Sequence, residues 1–201
     1  MNKYIKFYNS PSGRLTMISD GTALNALLLQ KETEGMKLEE TGEKTSPEAA
    51  EIFALTEAWL DDYFAGKKCE NPALFSEGKQ AAKTYILKVG KSRIYLRPEG
   101  SDFRQEVWKI LCEIPYGETV TYGDIAKRVA KLRGRKKMSA QAVGGAVGNN
   151  PIAIIIPCHR VVGAGGNLVG YGGGMPMKVQ LIKLEGMDIN EFIIPTKGTK
   201  L

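Results

Sequence analysis

The sequence predicts an α+β protein, with a small N-terminal α/β domain carrying an antiparallel sheet over residues 1–98 and a mostly helical C-terminal domain with a helix-turn-helix over 99–201. Three observations carry this reading. Short apolar runs punctuated by turn residues occupy the chain up to Leu29, as hairpin strands do. One capped amphipathic helix follows. From Phe103 the apolar period changes to helical.

Tyr4 to Tyr8, Leu15 to Ile18 and Leu24 to Leu29 read as strands, separated by Ser10-Pro11-Ser12-Gly13 and by Asp20-Gly21. Together they predict a small antiparallel sheet. Ser46-Pro47-Glu48 opens a helix with Ser46 as N-cap and Pro47 at the first helical position; Ile52, Leu55, Trp59 and Tyr63 recur on one face until Gly66. Such a helix covers the sheet. Tyr85 to Val89 and Arg93 to Leu96, around Gly90-Lys91-Ser92, read as a further hairpin, and the domain boundary falls at Pro98 to Ser101.

In the second half, Phe103, Val107, Ile110, Leu111 and Ile114 lie on one helical face, and Pro115-Tyr116-Gly117 ends that helix. A second helix starts at Thr121 as N-cap, with Tyr122, Ile125, Ala126 and Val129 on one face; a third begins near Ser139 and runs through Val147. The pair reads either as a helix-turn-helix laid against DNA or as an ordinary helix pair in a small α-helical domain.

Composition narrows the function classes. With 43% hydrophobic and 25% charged residues the chain is that of a packed globular protein rather than a disordered one. No window approaches the roughly 20 apolar residues that span a bilayer, and the N-terminus lacks a secretory apolar region. A cytoplasmic protein with no membrane contact is expected. Three cysteines, Cys69, Cys112 and Cys158, at irregular spacing fit a reducing compartment. With one His in the chain, a zinc site would consume the residues most suited to chemistry, so no metal is expected.

The formal net charge is +6, yet Lys127 to Lys137 (KRVAKLRGRKK) holds seven basic residues and no acidic one. The excess is therefore one local patch, either a polyanion contact or a solvated loop.

After Asn149-Asn150-Pro151, the apolar run Ile152 to Ile156 stops at Pro157-Cys158-His159-Arg160. An unperturbed Cys is only a few per cent ionised at neutral pH, so a nucleophilic one needs a base or a positive field. Here the single histidine is its neighbour and Arg160 adds charge. The alternative is a structural cysteine beside an incidental His. On the helix after Pro176, Met177, Leu181 and Glu185 fall on one stripe just before Gly186. A carboxylate there either pairs with His159 or turns outward to water. The stretches Gly163-Ala164-Gly165-Gly166-Asn167 and Gly170-Tyr171-Gly172-Gly173-Gly174 let backbone approach a planar base closely, or form a flexible surface loop. They lack the closing Lys-Ser/Thr of a phosphate-binding loop.

Taken together, Pro157-Cys158-His159-Arg160-Val161-Val162, the preceding Ala142-Val143-Gly144-Gly145-Ala146 and Asn150-Pro151, the loop Tyr171-Gly172-Gly173-Gly174 and Glu185-Gly186 resemble the O6-alkylguanine-DNA alkyltransferase family. Match and order extend from Phe103 to Gly186; the first hundred or so residues fit the family's N-terminal domain only loosely, and Ala73 to Ser92 is longer than usual. The resemblance implies that Cys158 accepts the alkyl group irreversibly and without a cofactor, that His159 deprotonates it through a water, that Glu185 orients His159 and that Asn150 braces the turn. Tyr122 would donate to the leaving base, while Val161, Tyr171 and Gly172 would line the base pocket. The implied partner is double-stranded DNA bearing O6-alkylguanine, and also O4-alkylthymine, met by a monomer with no obligate protein partner. Gln141, Ala142 and Gly144 on the third helix would enter the minor groove, with Arg160, Arg135, Lys136 and Lys137 as further DNA contacts.

Two departures from the family pattern stand out: Gln141 replaces the usual arginine, and the turn Lys131 to Met138 is longer and more basic. Competing readings are a lesion sensor that binds without repair, which would lack the acceptor cysteine, and a cysteine hydrolase, which would turn over repeatedly.

Overall fold

The computed structural model describes residues 3–74 and 83–195. They fold as two compact units, Met1–Glu99 with Pro151–Ile155, and Gly100–Asn150 with Ile156–Leu201.

The first unit is a sheet covered by one helix. Strands β1 (Tyr4–Ser10), β2 (Gly13–Ser19), β3 (Leu24–Leu29), β4 (Ala73–Leu74), β5 (Tyr85–Val89) and β6 (Ser92–Leu96) are ordered β1-β2-β3-β6-β5-β4. The sheet is antiparallel as expected, apart from one parallel contact between β3 and β6, where Leu24 lies opposite Leu96. The β5–β6 hairpin therefore extends the first sheet instead of standing alone. Of the long stretch Ala73 to Ser92, residues 75–82 lie outside the described residues.

Helix α1 (Pro47–Phe64) starts where Ser46 accepts a hydrogen bond from Ala49 N, a cap worth about 1 kcal/mol. It buries Ile52, Phe53, Thr56, Trp59, Leu60 and Tyr63, while Leu55 sits at the edge of the stripe. The edge strand β1 is blunted by side chains and loop backbone: Phe7 N donates to the Glu40 carboxylate at 2.7 Å and Thr41 N to Ile5 O at 3.0 Å.

A second correction concerns Pro151–Ile155, assigned above to the C-terminal domain. Leu27 N donates to Pro151 O at 2.8 Å and Ala153 N to Leu27 O at 3.0 Å, so this segment pairs with β3 and belongs to the first unit. Burial explains the excursion, since Ile152 to Ile155 are at most 1% exposed.

The second unit holds α2 (Asp102–Cys112), β7 (Val120–Thr121), α3 (Tyr122–Leu132), α4 (Ala140–Gly148), β8 (Val161–Val162) and α5 (Met175–Leu184). The hydroxyls of Ser101, Thr121 and Ser139 cap α2, α3 and α4 by accepting from Arg104 N, Asp124 N and Ala142 N. Trp108, fully buried on α2, donates Nε1–H to Ala146 O of α4 at 2.9 Å, which fixes α4 against α2. Gly100 makes room for that indole, because a Cβ there would meet the ring at 2.5 Å. Val162, Leu168 and Ile182 form a further apolar cluster with Phe192 packed on it. Among the described residues no helix is long and apolar enough to cross a membrane.

Candidate active site

Parallel pairing of β7 with β8 sets Val120 opposite Val161 and Thr121 opposite Val162. That register brings the start of α3 beside the 3₁₀ turn Cys158–Arg160. Pro157 enters the turn at φ −82°, ψ 66°, and Cys158 N closes back on Ile156 O at 2.8 Å, the geometry of an inverse γ-turn. Asn150, 5% exposed, donates Nδ2–H to the same carbonyl at 2.8 Å, where a brace of the turn would stand. Upstream, Ile154 closes another three-residue turn at φ 68°, a conformation that strains a β-branched residue.

Cys158 is 9% exposed. Next to it in the chain, His159 and Arg160 form a buried cluster with Glu185, at 0%, 2% and 5% exposure. His159 Nε2–H donates to Glu185 Oε1 at 2.7 Å. Arg160 donates Nε–H to Oε2 at 2.9 Å and Nη2–H to Oε1 at 3.0 Å, and gives Nη1–H to Ile114 O at 2.7 Å. Gly117 N donates to Oε2 at 3.1 Å. Burial alone would raise the Glu185 carboxyl, but His159 and Arg160 hold it down at about 2. For His159, burial outweighs the carboxylate, and Arg160 and Lys178 add to it, so the imidazole lies below its ordinary value and is neutral at pH 7. Arg160 thus supplies the countercharge, and Glu185 fixes the tautomer with its proton on Nε2 and the basic lone pair on Nδ1.

This arrangement corrects the expectation that Arg160 contacts DNA. Its guanidinium donors are turned inward onto Glu185 and Ile114, and no charged end is left for a phosphate. The turn Tyr116–Gly117 also belongs to the cluster: Tyr116 lies under the Arg160 guanidinium, and its hydroxyl donates to Leu184 O at 3.0 Å.

Lys178 is fully buried, and its ammonium donates to Val161 O at 2.6 Å and Val169 O at 2.9 Å. Burial lowers it to about 8, opposed by attraction to the Cys158 thiolate. Sequence reasoning missed this residue, although Lys178 falls on the helical stripe with Leu181, Ile182 and Glu185, where a charged side chain is out of place.

Tyr122, the first residue of α3, is 9% exposed. Burial and the Cys158 charge raise its hydroxyl to about 12, so it remains a proton donor. Val161 is buried and its carbonyl is held by Lys178; Tyr171 is half-buried and Gly172 exposed, in the loop closed by Gly174 N on Tyr171 O at 2.8 Å.

On α4, Gln141 and Ala142 are exposed, but Gly144 is buried with its α-carbon turned to the Tyr122 ring, and Gly145 is the glycine that faces outward. The expectation for Gly144 is thereby corrected by one residue, about 100° around a helix. In the α3–α4 connection Arg135, Lys136 and Lys137 are exposed. Arg133 differs: it donates Nε–H to Glu106 at 2.7 Å and lies over the Phe103 ring.

Residues 102–187 match the family model of the 6-O-methylguanine DNA methyltransferase DNA binding domain, and residues 3–71 that of the 6-O-methylguanine DNA methyltransferase ribonuclease-like domain. The chain is 36% identical over 183 residues to a methylated-DNA–protein-cysteine methyltransferase of Haemophilus influenzae, covering 90% of this chain and 86% of that one. A Methanosarcina barkeri protein of the same name is 46% identical over 133 residues, which span 62% of this chain and 81% of the relative. The solved structure of Mycobacterium tuberculosis OGT in complex with DNA superposes with a TM-score of 0.63 at 37% identity, covering 90% of this chain and 92% of that chain. With a cysteine, a buried histidine and an ionised glutamate in one cluster, and with that likeness running through both units, the chain belongs to the methylated-DNA–protein-cysteine methyltransferase family.

Proposed function

We propose that this protein repairs duplex DNA by moving the alkyl group of O6-alkylguanine, and of O4-alkylthymine, onto Cys158 Sγ, once per molecule. The observation that carries the reading is the buried His159–Glu185–Arg160 cluster built on the same 3₁₀ turn as Cys158. Stacked guanine hides O6, so the nucleotide is extruded into the pocket before sulfur can attack in line. The thiol proton passes through one water to His159 Nδ1, and Glu185 stabilises the imidazolium that forms. The S–C bond forms as the C–O6 bond breaks, and the electron pair stays on the purine. Tyr122 donates a hydrogen bond to the departing guanine, which then takes a proton from solvent. Lys178 attracts the thiolate and holds the Val161 carbonyl at the pocket wall. A thioether is a poor leaving group, so the alkylated protein is spent.

Outside the pocket, Gln141 and Ala142 of α4 enter the minor groove, with Gln141 filling the gap left by the extruded base and Arg135, Lys136 and Lys137 meeting phosphates. The protein acts as a monomer and needs no protein partner.

Peptide mapping by mass spectrometry after mixing with a duplex holding O6-methylguanine tests the reading. One methyl group on the Cys158 peptide, with product equal to protein, is the expected result. Binding without added mass is the behaviour of a sensor, and repeated turnover that of a hydrolase; either result overturns the proposal.

A further inference from the structure

A cleft of about 560 Å³ opens between α3 and the chain leading into α4. Its charged lining is Lys127 and Lys131, one turn apart on α3, and Arg135, Lys136 and Lys137 from the connection. All five are exposed, and among the described residues only Lys127 has an ion-pair partner, Asp124 at 3.0 Å. The remaining wall is small or apolar: Gly123, Ala126, Ala130, Met138 and Ala140. No lining residue is aromatic or acidic. A base would find nothing to stack on and no acceptor to read its edge, whereas a chain of phosphates would find cations on both sides and a floor low enough to admit its sugars. Ala140 is the first residue of α4, so the positive end of that helix points at the same place, and the exposed Gln141 and Ala142 lie next to it.

We infer that this cleft is a seat for one sugar–phosphate strand of the same duplex whose minor groove α4 enters, holding two or three consecutive phosphates without reading sequence. The inference rests on the proposed DNA repair activity and divides the labour on its surface. Arg133, spent on Glu106, takes no part; the cleft cations supply affinity, and α4 supplies the wedge. A connection of this length and charge compensates for the missing arginine, because an uncharged Gln141 contributes no attraction to phosphate.

The test is a salt titration of binding to a short undamaged duplex, with each phosphate replaced in turn by a neutral methylphosphonate. The variant Lys131→Gln/Arg135→Gln/Lys136→Gln/Lys137→Gln should bind about 10- to 100-fold more weakly, and its salt slope should fall by about 0.9 for each phosphate lost. Circular dichroism and the melting temperature establish that it is folded. The charge-preserving variant Lys131→Arg/Lys136→Arg/Lys137→Arg should keep the wild-type slope, and Arg133→Gln should keep it too. Two or three adjacent methylphosphonates on one strand should weaken the wild type several-fold and leave the glutamine variant indifferent. An unchanged slope in the glutamine variant overturns the inference. So does phosphate sensitivity scattered over both strands, which is long-range attraction without a seat, or sedimentation showing two duplexes per protein. A wild type that takes no methyl group on Cys158 refutes the repair activity itself; one that is methylated while the glutamine variant binds normally refutes the cleft alone.

Discussion

Cys112 and Cys158 are two buried cysteines of the same unit, 8% and 9% exposed, yet their surroundings assign them opposite chemistry. Cys112 lies on the buried stripe of α2, where burial and the neighbouring Glu113 raise its thiol far above the ordinary range, only partly offset by Arg160. Cys158 sits in a 3₁₀ turn followed directly by His159 and Arg160, and the buried Lys178 ammonium is held on the carbonyl of Val161, three residues further on. Burial by itself makes a cysteine inert. It supports a nucleophile only where cations and a proton acceptor are built in beside it, because low dielectric strengthens those attractions even as it penalises a lone charge.

The comparison is broken most severely by exchanging which cysteine remains. Cys158→Ala should abolish alkyl transfer, while Cys112→Ala should keep its rate within a few-fold and lose about 1 kcal/mol of stability to the small cavity, as read by single-turnover assay and urea unfolding. Transfer onto Cys112 in the Cys158→Ala protein would show that burial does not decide reactivity here.

Next in size are changes to the support of Cys158. Glu185→Gln and His159→Gln should each slow transfer on the order of 100-fold, and the double variant should lose much less than their product, since the two act as a unit. Glu185→Gln should also cost about 3–5 kcal/mol, because it leaves Arg160 buried without its carboxylate, whereas His159→Gln spares that pair. Equal stability loss in both would mean that Arg160 does not depend on Glu185. The carboxyl stands at about 2 in the folded chain against an ordinary 4.5, so the folded state binds its proton less readily than the unfolded state. That stabilisation is complete above the unfolded value and disappears as pH falls through the folded one, and acid unfolding of wild type but not of Glu185→Gln should register it.

Lys178 gives a smaller effect of the other kind. Its folded value of about 8 lies below the ordinary 10.5, so between those limits the unfolded chain holds a proton that the folded chain has released. Stability should therefore rise across that window by about 1–3 kcal/mol, and the rise should be missing in Lys178→Met. The same variant should move the pH profile of Cys158 alkylation by iodoacetamide to higher pH; an unmoved profile would remove Lys178 from the support of the thiolate.

The smallest effect is expected at Glu113, an exposed partner of Arg128. Glu113→Gln should change stability by less than about 0.5 kcal/mol and leave Cys112 unlabelled in the native protein, since burial outranks the neighbouring charge. Rapid labelling of Cys112 in that variant would reverse the ranking.

What the sequence by itself determined is what lies in local order: caps at Ser46 and Thr121, a helix start near Ser139, the strands up to Leu29, the helical stripes, and the motif Pro157-Cys158-His159-Arg160. Glu185 stood out as a carboxylate on an apolar stripe, but the pattern left open whether it pairs with the one histidine or turns to water, and the fold decided for His159. Tertiary structure alone decided how shared partners were allotted. Arg160 and Arg133 carry the same charge as Arg135, but the fold turns Arg160 onto Glu185 and Arg133 onto Glu106 while leaving Arg135 at the cleft. Likewise, the apolar period of Ile152 to Ile156 says only that these residues are buried; that 151–155 join β3 follows from Leu27 having backbone groups to satisfy where β6 has parted from it. Periodicity ranks residues by burial. It does not say which distant donor will meet which acceptor, since that depends on chain segments that become neighbours only when the core closes.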